Sequence, residues 1–136
     1  MDVTKLKFLY IDDDGPSRQI LEILLKNVMG CSEVVMFGDT SNFIEKLDVL
    51  PTAPDVILID LRIGPEDGYK VLAMLRAHPR YKRVLMVAVT ASVMAEEVTR
   101  LKDAGFDGLI GKPIIKENFP ELIKRLLAGE PVWYIP

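Results

Sequence analysis

The order of apolar segments along the chain constrains its fold more than any single motif does. Five apolar runs of strand length alternate with longer stretches in which apolar residues recur every three or four positions. The runs cover residues 6–11, 33–38, 55–60, 83–90 and 107–112. This alternation is typical of a parallel sheet that is covered by helices on both faces. It predicts an α/β fold with five parallel strands and five helices.

The helical stretches end at residues that commonly terminate helices. The first stretch ends at Gly30 and the fourth at Gly105, and a short segment follows the last helix. A chain of 136 residues with 49% apolar residues is long enough to build one core. We therefore expect one domain over residues 1–128 and a C-terminal tail over residues 129–136.

Composition argues against several functional classes. A net charge of −3 and a pI near 5.2 provide no basic field that would attract nucleic acid or an anionic membrane. Cys31 is the sole cysteine and His78 the sole histidine, so we expect neither an internal disulfide nor a metal site built from these residue types. The first apolar run is too short for a signal peptide, and no run approaches the length of a membrane span. These features predict a soluble, cytoplasmic protein.

Polar residues follow the predicted strands at the point where each strand ends. In open α/β sheets, ligands bind beyond the carboxyl ends of the strands. The residues at this edge are three consecutive acids and three further polar groups: Asp12, Asp13, Asp14, Asp60, Thr90 and Lys112. Each alone is an ordinary turn, capping or surface residue. Neighbouring carboxylates repel each other, so their clustering at one edge indicates abundant water or a bound positive charge.

These side chains suit the transfer of a phosphoryl group to an aspartate. A carboxylate acts as a nucleophile and forms an aspartyl phosphate, but it must approach an anionic group. Mg²⁺, held by a few carboxylates, waters and phosphate oxygens, offsets that repulsion. A lysine and a hydroxyl then bind the remaining phosphoryl oxygens.

Four segments together resemble the receiver domain of two-component response regulators: "YIDDDGPSRQIL", "DVILIDLRIGPEDGYKVL", "MVAVTAS" and "GKPI". The resemblance covers nearly the whole chain. It implies a flavodoxin-like three-layer sandwich whose five-stranded parallel sheet has the order 2-1-3-4-5. It also implies a phosphoacceptor with at most weak autophosphatase activity, rather than an enzyme.

The resemblance assigns a role to each residue of the edge. The family's phosphoacceptor falls on Asp60, its phosphate-binding hydroxyl on Thr90 and its phosphate-binding lysine on Lys112. The acidic pair falls on Asp12 and Asp13, of which Asp13 is the more direct Mg²⁺ ligand and Asp12 acts largely through water. The main-chain carbonyl of Arg62 completes the implied metal ligands. Gly68 matches a family glycine, and Pro113 matches a proline that commonly follows a cis peptide bond.

Three departures from the family pattern bear on the site and on switching. The proline of the loop after Asp60 is Pro65, one residue later than usual, and Gly64 takes its place. Arg62 and Ser92 lie at positions that tune the lifetime of the phosphoryl group. The aromatic residue that often precedes the lysine by three positions is Leu109 here. Switching is then expected to depend on the loop after Thr90 and on the helix that follows it.

The resemblance implies a sensor histidine kinase or a histidine phosphotransfer protein as phosphodonor. It implies a downstream protein target at the face formed by helix 4, strand 5 and helix 5. That face is predicted to include Val93, Glu97, Arg100, Leu109 and Lys116. The apolar cluster from Val132 to Ile135 in the tail is expected either to fold back onto the domain or to form a dimer or partner contact.

Two alternatives remain at this point. "DDDG" contains the D-x-D-G motif of haloacid-dehalogenase-type phosphatases, in which Asp12 would be the nucleophile and Asp14 the general acid. That interpretation lacks a downstream acidic motif and leaves Asp60 unexplained. The second alternative is a receiver fold that acts as an interaction module without phosphorylation.

Overall fold

A computed structural model describes residues 2–91 and 94–136 of the chain. Within these ranges the sheet has six parallel strands: β1 Lys7–Ile11, β2 Glu33–Phe37, β3 Val56–Ile59, β4 Leu85–Thr90, β5 Gly108–Gly111 and β6 Val132–Tyr134. Their spatial order is β2-β1-β3-β4-β5-β6. The predicted order of the first five strands is confirmed. The tail adds a strand that sequence analysis missed.

Five α-helices connect the strands in the described part of the chain: α1 Gly15–Glu22, α2 Phe43–Asp48, α3 Gly68–Ala77, α4 Ala95–Ala104 and α5 Phe119–Leu127. A short 3₁₀ helix, Val3–Lys5, precedes β1, and α1 continues as a π-helical segment, Ile23–Val28. Gly30 and Gly105 end their helices with positive φ angles of 75° and 102°, as their positions in the sequence predict. The start predicted for the fourth helix, Val93, lies outside the described residues.

The sheet separates two apolar cores, as its alternating strand residues require. Leu9 and Ile11 of β1 face the core beneath α2, α3 and α4, whereas Phe8 and Tyr10 face the core beneath α1 and α5. All five residues of β1 are buried. This three-layer arrangement brings the carboxyl ends of β1, β3, β4 and β5 to one edge.

The tail segment is part of the sheet rather than a solvated end. β6 pairs in parallel with β5, and Trp133 lies opposite Leu109 and packs against the core beneath α2, α3 and α4. The expectation that the tail folds back onto its own domain is therefore confirmed. In the part of the chain that the structure describes, no helix has the length and apolar character needed to cross a bilayer.

Candidate functional site

The carboxyl edge of the sheet brings two carboxylates onto one lysine. Asp12 directly follows β1, Asp60 directly follows β3, and these strands are neighbours. Lys112 directly follows β5, and its Nζ lies 2.6 Å from Oδ2 of Asp12 and 3.0 Å from Oδ2 of Asp60. Three of the six residues that sequence analysis placed at this edge therefore form one charged cluster.

Lys112 is held in its charged form by this cluster. Partial burial opposes the charge, but the hydrogen bonds that Nζ donates to Asp12 and Asp60 outweigh it and raise the pKa of Lys112 above its usual value. The side chain of Lys112 is 17% exposed, so its ammonium group remains close to solvent. At neutral pH the cluster thus carries a positive charge between two carboxylates.

Asp12 is fully buried and accepts three hydrogen bonds through its carboxylate. Oδ2 accepts from the Tyr10 hydroxyl and from Lys112 Nζ, and Oδ1 accepts from the backbone N–H of Asp14 at 2.9 Å. The carbonyl of Asp12 also accepts from Nη1 of Arg18 at 2.6 Å. These contacts satisfy a charge whose burial would otherwise be costly.

The other two members of the acidic triplet have different surroundings. Asp13 is exposed and directly follows the buried Asp12 in the chain. Asp14 is the N-cap of α1, and its Oδ2 accepts from the hydroxyl of Ser17 at 2.6 Å and from its N–H at 3.0 Å. These hydrogen bonds lower the pKa of Asp14. The Asp14 carboxylate is therefore occupied in holding the start of α1.

Asp60 presents one carboxylate oxygen to Lys112 and the other to its own loop. Oδ1 of Asp60 accepts from the N–H of Arg62 at 3.0 Å, and the side chain of Asp60 is 13% exposed. Arg62 is exposed. A partly accessible carboxylate that is fixed at both oxygens is well oriented for attack on an incoming group.

Thr90 is the last residue of β4 and is fully buried. It lies opposite Gly111, and its carbonyl accepts from the N–H of Lys112 at 2.9 Å. This hydrogen bond joins Thr90, the residue with the predicted phosphate-binding hydroxyl, to Lys112, the predicted phosphate-binding lysine. Ser92, predicted to tune the phosphoryl lifetime, lies outside the described residues.

The loop after Asp60 is held by a residue that sequence analysis did not identify. The hydroxyl of Thr40, which is buried, donates to the carbonyl of Glu66 at 2.6 Å and accepts from its N–H at 2.7 Å. The N–H of Thr40 also donates to the carbonyl of Gly64 at 3.0 Å. The displaced proline, Pro65, follows a cis bond. Thr40 thus ties the loop that carries Arg62 to the β2–α2 connection.

Gly68 begins α3 directly against this loop. A Cβ at position 68 would lie 2.8 Å from Cδ2 and 3.2 Å from Cα of Leu61. Close backbone approach therefore explains the glycine that the family resemblance predicted. The predicted cis bond before Pro113 is also present.

The chemistry of the donor set suits Mg²⁺. Asp12 and Asp60 bring hard carboxylate oxygens to the point where Lys112 Nζ lies, and the exposed Asp13 directly follows Asp12 in the chain. Among residues 2–91 and 94–136, no group of three such side chains is assembled as a finished metal cage. Mg²⁺ usually keeps several waters and takes one or two carboxylates, so such a cage is not required. The acids present therefore fit the ion.

Two functional contacts were not predicted from sequence. Tyr10 lies two residues before Asp12, so the two side chains point to the same face of the sheet. A buried tyrosine hydroxyl usually has a hydrogen-bond partner. That signal was available for Tyr10. Thr40 carries no comparable signal, because its partner, Glu66, is 26 residues away.

The predicted output face requires a correction. Leu109 is fully buried in the core beneath α2, α3 and α4, so it is not part of a surface. The physical reason is β6, which pairs along β5 and places Trp133 beside it. Arg100 and Lys116 are exposed and Glu97 is half-buried, whereas Val93 lies outside the described residues.

A parallel sheet in this order, with acids and a lysine at the carboxyl ends of its central strands, defines a flavodoxin-like α/β domain with a site at the switch point. The sequence profile of the response regulator receiver domain matches residues 8–125. The chain belongs to this family, the receiver domains of two-component signalling.

Curated relatives include both response regulators and histidine kinases. The nitrate/nitrite response regulator protein homolog of Haemophilus influenzae is 36% identical over 94% of this chain and 60% of its own length. The hybrid signal transduction histidine kinase L of Dictyostelium discoideum is 30% identical over 91% of this chain and 8% of its own length. The chain therefore spans less than two thirds of the length of these relatives.

Solved structures show the same fold. The chemotaxis response regulator CheY4 of Vibrio cholerae has a TM-score of 0.79 at 24% identity and covers 90% of this chain and 99% of its own. The isolated receiver domain of RcsB from Salmonella enterica, solved with the phosphomimetic BeF₃⁻, has a TM-score of 0.80 at 17% identity. It covers 97% of this chain and 94% of its own.

Proposed function

We propose that this receiver domain is a phosphorylation-dependent switch whose phosphoacceptor is Asp60. The observation that carries the proposal is the position of Lys112 Nζ, which bonds both Asp60 at 3.0 Å and the buried Asp12 at 2.6 Å. An ammonium at this point can bind an oxygen of a phosphoryl group on Asp60 without moving far. The buried Thr90 at the end of the adjacent strand would supply the second contact to that group.

The transfer is a displacement at phosphorus. A carboxylate oxygen of Asp60 forms a bond to phosphorus. The bond between phosphorus and the histidine nitrogen of the phosphodonor breaks, and its electron pair stays on that nitrogen. Lys112 then turns from the Asp60 carboxylate to the phosphoryl oxygens. Slow attack by water on phosphorus then breaks its bond to the Asp60 oxygen, which releases inorganic phosphate and restores the resting carboxylate.

Asp12, Asp13, Asp60 and the main-chain carbonyl of Arg62 would hold Mg²⁺. The ion, when bound, supplies the positive charge that lets an anionic donor approach these acids. The chain's own residues orient the acceptor: the N–H of Arg62 bonds Oδ1 of Asp60 at 3.0 Å, and Thr40 holds the loop in which Arg62 lies.

The proposed phosphodonor is a protein that carries a phosphohistidine. A groove of about 340 Å³ adjoins Lys112 and is lined by residues of α1, by the residue after β4 and by the segment after β5: Ser17, Ile20, Leu21, Ala91, Lys112, Pro113 and Ile114. Ile20 in this groove is about half exposed. Apolar side chains beside the acceptor provide contact area for a sensor kinase or phosphotransfer protein. Several curated relatives are themselves histidine kinases.

Output is proposed to pass through protein contacts at α4, α5 and the sheet edge between them. β6 now forms that edge, and Nζ of Lys102 on α4 lies 5.2 Å from the ring centroid of Trp133 in β6. The guanidinium of Arg100 lies instead over the ring of Tyr69 on α3. Movement of the β4–α4 connection on phosphorylation would shift α4 and change this face. The proposal also includes homodimerisation through the helices of this face, α4 and α5.

Incubation with acetyl phosphate and Mg²⁺ tests the assignment of Asp60. We expect one acid-stable, base-labile phosphoryl group by intact mass, and we expect Asp60→Asn to abolish it. Asp103→Asn is the matched control, because Asp103 is an exposed carboxylate on α4, away from the site. Labelling that survives Asp60→Asn but is lost in Asp12→Asn would contradict the proposal and favour the phosphatase alternative.

Amide exchange separates a switch from a passive interaction module. With BeF₃⁻ and Mg²⁺ bound, we expect exchange rates to change across residues 94–116, which include α4 and β5. Residues 43–48 of α2, the helix that follows the edge strand β2, serve as the internal reference. Unchanged exchange over residues 94–116 would support the passive module.

A further inference from the structure

The Tyr10 hydroxyl is buried against the acidic site from within the core. Tyr10 is fully buried on the β1 face that packs beneath α1 and α5, among side chains that are mainly aliphatic. Its hydroxyl donates to Oδ2 of Asp12, the same oxygen that accepts from Lys112 Nζ at 2.6 Å. The tyrosine at this position therefore supplies a hydrogen-bond donor to the Asp12 carboxylate, which an apolar residue at the same position would not do.

The three donors to Asp12 have different expected fates during phosphorylation. The N–H of Asp14 belongs to the backbone and stays on Oδ1. Lys112 is shared with Asp60, and in the proposed reaction it turns toward the phosphoryl group. The Tyr10 hydroxyl donates to Asp12 and not to Asp60, so it can remain on Oδ2 after the lysine has moved. An unpartnered oxygen on a fully buried carboxylate would otherwise be costly.

We propose that Tyr10 is a positioning residue that acts through Asp12. It holds the plane of the Asp12 carboxylate together with the Asp14 N–H, so that the remaining lone pairs face the metal position. It also keeps Oδ2 partnered while Lys112 exchanges between resting and phosphorylated arrangements. Partners behind a metal-binding side chain commonly change metal affinity when they are removed. This inference rests on the proposed function and adds a residue that the family resemblance did not supply.

Titration with Mg²⁺ alone tests the inference without any phosphodonor. The readout is the backbone amide shifts of Asp13 and Asp60, followed by NMR in the unphosphorylated chain. We expect Tyr10→Phe to weaken Mg²⁺ binding about tenfold, at the lower end of the usual effect of such partners. Tyr81→Phe is the matched control, because the buried Tyr81 hydroxyl donates to Oδ1 of Asp48 at 2.5 Å, far from the site. It should leave the affinity unchanged.

A double-variant comparison distinguishes action through Asp12 from a general structural effect. In an Asp12→Asn background, adding Tyr10→Phe should weaken Mg²⁺ binding by less than twofold further. An undiminished tenfold loss in that background, or a loss of the same size in Tyr81→Phe, would overturn the inference.

Asp13→Asn separates failure of the inference from failure of the proposed function. If Asp13→Asn weakens Mg²⁺ binding and Tyr10→Phe does not, the positioning role is wrong and the metal site stands. If neither variant changes the affinity, the proposed metal site fails, and the positioning role fails with it.

A measurement on the unmodified chain covers the case in which Tyr10→Phe does not fold. The Tyr10 hydroxyl proton, assigned through its contacts with the Tyr10 ring protons, should exchange slowly with solvent because the group is fully buried. Its resonance should shift when Mg²⁺ is added. A resonance that is insensitive to Mg²⁺ would overturn the inference.

Discussion

At the scale of single residues, the site is organised around one ammonium group and two carboxylates of unequal exposure. Asp12 is fully buried, whereas the side chain of Asp60 is 13% exposed. Because Lys112 bonds both, it compensates the buried charge and also keeps the accessible carboxylate oriented. Of the two acids, Asp60 is therefore the one that solvent can reach, as its proposed role as phosphoacceptor requires.

Replacing Lys112 should destabilise the resting domain. We expect Lys112→Met to lower the free energy of unfolding by about 2 kcal/mol, since it leaves the buried Asp12 charge with fewer partners. Urea unfolding at neutral pH without Mg²⁺ measures the effect. Lys116→Met, a change at an exposed lysine in the same connection, should have little effect. Equal effects of the two variants would contradict a stabilising role for the cluster.

The difference between the parent chain and Lys112→Met should also depend on pH. The pKa of Lys112 is raised in the folded state, so its stabilisation is fully present below the unfolded-state pKa of about 10.4. It is lost as the pH rises through the higher folded-state pKa. Unfolding measured at intervals from pH 7 to alkaline pH should therefore show a constant difference that decreases only above about pH 10.4.

At the scale of secondary-structure elements, the connections at the carboxyl edge are tied to one another. Thr40, in the β2–α2 connection, makes two hydrogen bonds to the backbone of Glu66 in the β3–α3 connection. The Thr90 carbonyl bonds the N–H of Lys112 between the ends of β4 and β5. These contacts hold the loops that carry the site at defined positions relative to the strands.

Removing the Thr40 hydroxyl should loosen the loop after Asp60. We expect Thr40→Val to lower the free energy of unfolding by about 2 kcal/mol, because the N–H and carbonyl of Glu66 lose their buried partner. Amide exchange over residues 61–67 should become faster. Thr40→Ser keeps the hydroxyl and should retain most of the stability. Equal free energies of unfolding for Thr40→Val and Thr40→Ser would show that the hydroxyl does not hold the loop.

Sequence reasoning succeeded where the structure depends on local pattern and failed where it depends on distant partners. Apolar runs predicted β1 to β5, and the polar residues after them predicted Asp12, Asp60 and Lys112 as neighbours, because parallel strands end at one edge. The contact between Thr40 and Glu66 joins two loops whose paths the sequence leaves open. The burial of Leu109 depends on β6. This strand pairs with β5, from which it is separated in the chain by α5.

At the scale of the whole molecule, β6 extends the sheet because β5 leaves room for it. A Cβ at position 108 would lie 2.4 Å from Cδ2 of Leu126 and 2.9 Å from the carbonyl oxygen of Val132. A Cβ at position 111 would lie 3.1 Å from the carbonyl oxygen of Tyr134. Gly108 and Gly111 thus allow α5 and β6 to approach β5 closely.

Gly108→Ala should displace β6. The added methyl group meets both α5 and the β6 backbone, so we expect the domain to be destabilised and the fluorescence of Trp133, the chain's one tryptophan, to shift to longer wavelength. Gly64→Ala is the matched control, since a Cβ there meets nothing within 4 Å. An unchanged emission spectrum in Gly108→Ala would indicate that β6 does not depend on this close approach.

The sixth strand also bears on how the molecule avoids aggregation. Without β6, the backbone of Gly108–Gly111 would be an open sheet edge, to which strands of other molecules could add. β6 replaces that edge with a strand of only three residues. Pro131 precedes it and Pro136 follows it closely, and proline lacks the N–H that continued strand pairing needs. The C-terminal segment therefore acts as a barrier to edge-to-edge assembly between copies of the domain.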